Sequence, residues 1–165
     1  MKYVLSDTVG LVNNRRGGCA VRYETSAYPH FMRLLNKWLC ERATGLEQGP
    51  VFTSITINKG YAGRIHRDKN NAGPSFIKSF GDFTGGELRY FPGDDRDGPP
   101  EGVLLKGLVE EELDIHSSLY MIDGTRAHGV KPFEGERYSV VFYCANRYER
   151  LEPQQIAQQE AQESN

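Results

Sequence analysis

The chain has 165 residues, 38% apolar and 25% charged, with a formal net charge of -2 and a pI near 6.1. That length builds one domain with a sizeable core, and the near-neutral balance excludes a protein that holds nucleic acid through bulk positive charge alone. No run approaches the roughly 18 to 20 apolar residues of a membrane span, and Met1-Lys2-Tyr3-Val4-Leu5-Ser6-Asp7 has no signal-peptide core, so the expectation is a soluble, intracellular protein with no membrane partner.

In chain order, short apolar or alternating runs predict strands at Tyr3–Leu5, Cys19–Glu24, Val51–Asn58, Ser75–Phe80, Glu87–Phe91, Leu119–Ile122, Ala127–Val130 and Tyr138–Cys144. Glycine- and proline-rich turns fall between them, at Asn70-Asn71-Ala72-Gly73-Pro74, Gly85-Gly86, Pro92-Gly93-Asp94-Asp95 and Asp123-Gly124. One helix is expected from about Tyr28 to Arg42, because Phe31, Leu34, Leu35, Trp38 and Leu39 recur at helical intervals; Ser26 is its candidate cap and Gly45 its stop. Many short strands and one helix predict a mainly β sandwich or barrel with one or two flanking helices. Pro92 to Gly102 should be an exposed loop able to act as a lid. The expected domain is 1–148, and 149–165, rich in glutamine and glutamate, reads as a polar tail. Cys19, Cys40 and Cys144 are odd in number and lack metal-type spacing, which predicts reduced thiols.

The chemistry concentrates in His66-Arg67-Asp68, His128 and Arg137-Tyr138-Ser139. Two imidazoles and one carboxylate can hold Fe(II) while leaving three coordination positions open. His66 and Asp68 are one residue apart, so on an extended strand they share a face while Arg67 points away. His128 begins a short run before the last core strand, from which an antiparallel partner would return it to the pair. Arg137 and Ser139 share a strand face by the same period, and a guanidinium with a hydroxyl beside it binds a carboxylate through charge-assisted hydrogen bonds. Five basic residues (Lys59, Arg64, Arg67, Lys69, Lys78) surround this region and would steer an anionic substrate toward it. His-Arg-Asp also opens the protein-kinase catalytic loop, but the chain has no glycine-rich phosphate loop, and Gly81-Asp82-Phe83 is not the kinase order.

With these residues in place, the chain resembles the Fe(II)- and 2-oxoglutarate-dependent dioxygenases, and within them the TET/JBP group of nucleic-acid base dioxygenases. The likeness is carried between Val51 and Cys144 by Phe52-Thr53-Ser54-Ile55-Thr56-Ile57-Asn58, His66-Arg67-Asp68-Lys69-Asn70-Asn71-Ala72-Gly73, Gly81-Asp82-Phe83-Thr84-Gly85-Gly86-Glu87-Leu88 and Arg137-Tyr138-Ser139-Val140-Val141-Phe142-Tyr143. The resemblance implies a double-stranded β-helix, a jelly roll of cupin type. It also implies His66, Asp68 and His128 as catalytic iron ligands, Arg137 assisted by Ser139 at the 2-oxoglutarate carboxylate, dioxygen as the oxidant and ascorbate as a candidate reductant. The narrower likeness implies oxidation of the 5-methyl group of 5-methylcytosine or thymine in DNA, with a targeting partner supplying duplex contacts. A base must be flipped or single-stranded to reach such a site. Asn71, Lys69, Lys78 and Phe80 are its candidate contacts, with Tyr61 and Phe76 as further stacking groups; each aromatic reads equally well as core, and Asn71 as a turn former. The alternative is a prolyl-hydroxylase-like enzyme acting on a peptide, to which the acidic run from Asp94 to Glu101 would be complementary. A repair demethylase of the AlkB type would carry a second arginine where Tyr143 stands.

Overall fold

The computed structural model describes residues 5–14, 18–99 and 105–148. Its elements are β1 (Leu5–Asn13), β2 (Cys19–Val21), α1 (Tyr23–Ala27), α2 (Pro29–Arg42), β3 (Ser54–Lys59), β4 (Asn71–Gly85), β5 (Leu88–Tyr90), β6 (Glu111–Leu113), β7 (Tyr120–Ile122), β8 (His128–Val130) and β9 (Phe133–Ala145). Six strands form a large antiparallel sheet in the order β2-β1-β3-β9-β4-β7, and three form a small one in the order β6-β5-β8. Two antiparallel sheets facing each other are the jelly-roll arrangement expected from the sequence.

Period-two alternation sorts the large sheet into two faces. On one face Val9, Ile55, Phe76, Val140 and Phe142 pack against Leu35 and Leu39 of α2. Trp38 extends this layer, stacked on Phe142 at a centroid distance of 6.3 Å and meeting Phe80 edge-on at 5.5 Å. On the other face Ile77 and Ile122 join Leu88, Tyr90 and Ile115 to form a second core between the sheets. The intervening positions on that inner face are polar: Thr56 and Asn58 of β3, Ser75 of β4, and Ser139 and Tyr143 of β9 all line a cavity of about 620 Å³. A sheet with one mainly apolar face and one face broken by hydroxyls and amides is built to hold a polar ligand on the broken side.

Several sequence expectations change. The turn expected at Asn70 to Pro74 is confined to its first residue: Asn70 turns with Lys69, and β4 begins at Asn71 and takes up the extra residues as a bulge between Ala72 and Phe76. β1 runs through Asn13, because pairing with β3 from Leu5↔Lys59 to Gly10↔Ser54, and then with β2 from Leu11↔Val21 to Asn13↔Cys19, overrides a polar, strand-poor sequence. β6 was hidden by the same cause in Glu111-Glu112. Ser26 lies inside α1 and donates to the Tyr23 carbonyl, while α2 starts at Pro29 with no side-chain cap. The tail at 149–165 and most of Tyr3–Leu5 fall outside the described residues. Among the described residues no helix is long and apolar enough to cross a membrane.

Candidate metal and anion site

His66 and Asp68 sit on the connection from β3 to β4, not within a strand. His66 makes one isolated antiparallel bridge with His128, whose amide and carbonyl it engages at 3.0 and 2.8 Å. The Asp68 amide donates to the Gly124 carbonyl at 2.9 Å. These bonds bring together residues 62 positions apart. Asp68 lies between the imidazoles, with Oδ1 3.5 Å from His66 Nε2 and Oδ2 3.7 Å from His128 Nε2. One ligand atom from each of the three lies within 4.8 Å of the others. Bonds of about 2.1 Å meeting at right angles place ligand atoms about 3 Å apart, so the two histidine–aspartate spacings would close by less than about 1 Å around a metal ion.

The imidazole orientations fit the same purpose. His66 Nδ1 is 2.9 Å from the Arg64 carbonyl, and His128 Nδ1 is 2.8 Å from the Arg126 carbonyl. A carbonyl only accepts, so each Nδ1 carries the proton and each Nε2 presents its lone pair to the shared space. Burial pushes the His128 pKa down from its ordinary value, against the pull of Asp68, which favours the neutral ring a metal requires. Asn71 Nδ2 lies 3.4 Å from Asp68 Oδ2 and 3.5 Å from Ser75 Oγ. Gly124 is also part of the site: a Cβ there would stand 3.4 Å from Asp68 Oδ2 and 3.2 Å from Ser75 Oγ, so the absent side chain leaves the carboxylate room.

Arg137 is not itself in the cavity lining but is tied to it through the Tyr61 carbonyl and by Ser139 on the same strand; it is 1% exposed, and no carboxylate pairs with it among the described residues. Its Nη1 and Nη2 make only long contacts, 3.3 Å to the Tyr61 carbonyl and 3.4 Å to the Gly86 carbonyl, and its buried Nε has no partner. Burial pulls its pKa down to about 10. Phe83 and Phe133 flank the guanidinium at 5.5 Å each, and Gly86 passes so close that a Cβ would come within 3.0 Å of Nε. A neighbouring hydroxyl is also unsatisfied: Ser79 Oγ is fully buried without a partner. Ser79 pairs in register with Ser139, and Ser139 with Asn58, so β3, β9 and β4 contribute a polar row next to Arg137. Asn58 Nδ2 is 3.5 Å from Ser139 Oγ. An uncompensated buried cation beside unsatisfied donors costs stability unless an anion completes it. The residues therefore fit a carboxylate at this end and a divalent ion at the other.

The remaining candidates are placed less uniformly. Lys69, Asn71 and Tyr61 line the cavity; burial, with Asp68 nearby, raises the Tyr61 pKa. Lys78, Phe80 and Phe76 share the opposite face of β4. There Phe80 meets Trp38, Phe76 is core, and the Lys78 ammonium donates to the His116 carbonyl and to that of Ser79 at 3.2 Å. Of the five basic residues expected to steer an anion, Arg67 is buried against Asp94 and Lys59 is paired with Glu136 at 2.8 Å. Arg64 and Lys69 are the exposed pair at the site. Asn58, Ser79 and Gly124 escaped notice in the sequence because strand alternation identifies a face but not which face meets a ligand.

No family model and no curated protein matches this sequence. Among solved structures, NgTET1 in complex with 5mC DNA superposes with a TM-score of 0.57 at 16% identity, covering 97% of this chain and 69% of that one. An oxidoreductase of the 2OG-Fe(II) oxygenase family from Burkholderia pseudomallei superposes with a TM-score of 0.52 at 13% identity, covering 85% of this chain and 66% of that one. The fold is that of the 2OG-Fe(II) oxygenases. Within this fold, the bridge between His66 and His128 joins the loop before β4 to the start of β8, and Arg137 lies on β9.

Proposed function

We propose that this protein is an Fe(II)- and 2-oxoglutarate-dependent dioxygenase that oxidises the 5-methyl group of a pyrimidine base in DNA. One observation carries the enzymatic part: a two-histidine, one-carboxylate cluster and a buried guanidinium without a counter-anion occur in one oxygenase fold. His66, Asp68 and His128 would hold the iron, and Arg137 with Ser139 and Ser79 would hold the distal carboxylate of 2-oxoglutarate. When bound, iron and 2-oxoglutarate supply the oxidative chemistry that activates dioxygen against a C–H bond.

The chain's own residues contribute orientation and exclusion. The Arg64 and Arg126 carbonyls fix the proton on each Nδ1, Asn71 and Gly124 set the Asp68 carboxylate, and the leucine, isoleucine and valine lining keeps the far wall of the cavity apolar. The cavity volume of about 620 Å³ lies in the usual range for sites that enclose small molecules, enough for the co-substrate and one flipped base. Asn13, Asn70, Asn71, Tyr61 and Lys69 supply amides, a ring and a charge among its lining. The likeness to a structure bound to 5mC DNA supports a base as substrate. The peptide alternative loses part of its support, since Asp94 is buried in an ion pair and cannot attract a basic peptide.

The test is succinate release with single-stranded oligonucleotides containing 5-methylcytosine, thymine or neither, beside a proline-containing peptide. The proposal expects turnover that depends on His66 and rises with a methylated pyrimidine. Turnover stimulated by the peptide alone would replace the substrate assignment, and no His66-dependent succinate under any condition would overturn the enzyme assignment.

A further inference from the structure

Arg67, the middle residue of His66-Arg67-Asp68, was expected to point away from the ligands; the structure shows what it holds. Its Nε and Nη2 donate to Asp94 Oδ2 and Oδ1 at 2.7 and 2.5 Å. Nη1 donates to the carbonyls of Arg96 and Gly98 at 2.9 and 2.6 Å, and Nη2 also reaches the Asp97 carbonyl at 3.1 Å. All five guanidinium N–H groups are thereby used, a set no lysine can reproduce. Asp94 is equally committed, since Oδ2 also accepts from the Ala127 amide at 2.6 Å and Oδ1 from the Arg96 amide at 3.3 Å. Both side chains are 2% exposed.

Ala127 adjoins His128. One buried ion pair thus joins the segment carrying His66 and Asp68 to the segment carrying His128, adding side-chain bonds to the isolated His66–His128 bridge and to the backbone bonds from the Asp68 amide to Gly124 and from the Val130 amide to Gly63. Arg126 adds to the joint by donating to the Pro92 and Asp94 carbonyls at 2.5 and 2.8 Å. The described part of the Pro92 to Gly102 loop is therefore tied down at Asp94 rather than exposed throughout, and residues 100–102 lie outside the described residues. Buried ion pairs are weak contributors to stability compared with apolar packing of the same volume. Directional bonds do something packing cannot: they fix the offset of two segments to the tolerance that metal ligands require.

We propose that Arg67 and Asp94 are positioning residues of the metal centre, setting the spacing of His66 and Asp68 from His128 and with it the affinity of the site for a divalent cation. This rests on the reading of the three residues as a metal site. The test is Mn(II) affinity, by titration calorimetry and by the Mn(II) resonance spectrum, for the wild type, Arg67→Lys and Asp94→Asn. His66→Ala serves as the ligand control, and Leu39→Ala, a core change on the α2 side, as the stability control. Removing such outer contacts lowers metal affinity by about 10- to 100-fold. We expect that loss in both variants, with an altered spectrum of the bound ion, and a less than twofold change in Leu39→Ala despite its lower melting temperature. Asp94→Asn keeps an acceptor for Ala127 and serves if Arg67→Lys fails to fold. Unchanged Mn(II) affinity in the folded variants overturns the proposal, as does an equal loss in Leu39→Ala, which would mean that affinity merely tracks stability. Wild-type protein without Mn(II) binding sensitive to His66→Ala overturns the metal reading itself.

Discussion

Arg137 offers a test that separates a ligand-binding arginine from a structural one. Its pKa falls well below the ordinary guanidinium value, to about 10, because burial disfavours the charge and no anion among the described residues restores it. At about 1.36 kcal/mol per unit that is a penalty on the order of 3 kcal/mol in the ligand-free protein. Arg137→Met keeps an unbranched apolar body between Phe83 and Phe133 while removing the charge. It also gives up two long hydrogen bonds, to the Tyr61 and Gly86 carbonyls, worth about 1 kcal/mol each. The guanidinium's contacts with the two flanking rings, about 0.5–1 kcal/mol each, offset the remainder, so the terms nearly cancel and the melting temperature of the ligand-free protein should stay within about 2–4 °C of wild type. The sign holds with pH: the folded pKa is lowered, so the penalty is complete below about 10 and eases only as pH rises from there toward the ordinary guanidinium range. The difference between wild type and variant should be flat across the neutral range. 2-Oxoglutarate added with Mn(II) separates the two, because at one hundred times its Kd it stabilises wild type by about 2.7 kcal/mol and the variant by almost nothing. Differential scanning fluorimetry reads both effects. A variant clearly less stable than wild type without ligand, or one that keeps the full 2-oxoglutarate shift, would refute the reasoning.

Three further outcomes follow from particular contacts. Arg67 holds the Asp94 carboxyl below its ordinary value of 3.8, so this stabilisation is present above that pH and is lost as pH falls through the lower folded value; Asp94→Asn should be less stable at neutral pH and show a shallower acid limb in urea midpoints measured against pH. Gly81 has φ +120° with the position of a Cβ occupied by the Glu136 carbonyl, so Gly81→Ala should cost at least about 1–3 kcal/mol in denaturant unfolding. Lys69 lines the cavity while Lys78 is bonded to carbonyls on the far face of β4, so Lys69→Glu should weaken oligonucleotide binding and flatten its salt dependence, and Lys78→Glu should leave both unchanged.

What the sequence disclosed followed from locality. Arg137 and Ser139 are one residue apart on β9, so strand period grouped them; His66 and Asp68 are also one residue apart and converge, but from a connection with one isolated bridge rather than from the strand that period implied. α2 was equally legible from the spacing of Leu35 and Leu39. The Arg67–Asp94 pair was not, because it spans 27 residues and Asp94 lies in a proline-, glycine- and aspartate-rich run that reads as exposed loop. The bulge in β4 disguised a strand start as a turn. Lys78 and Phe80 were placed near the site by proximity in sequence to Asp68, whereas the period that brings Ile77 into the cavity turns both of them toward the other side of the sheet.

The most direct measurement is mass spectrometry of nucleosides after incubating the protein with Fe(II), 2-oxoglutarate, ascorbate and DNA containing 5-methylcytosine or thymine, with His66→Ala alongside. The account predicts hydroxymethyl, formyl or carboxyl pyrimidines with the wild type and none with the variant. An unaltered base composition, in a preparation that forms succinate dependent on His66, would contradict it.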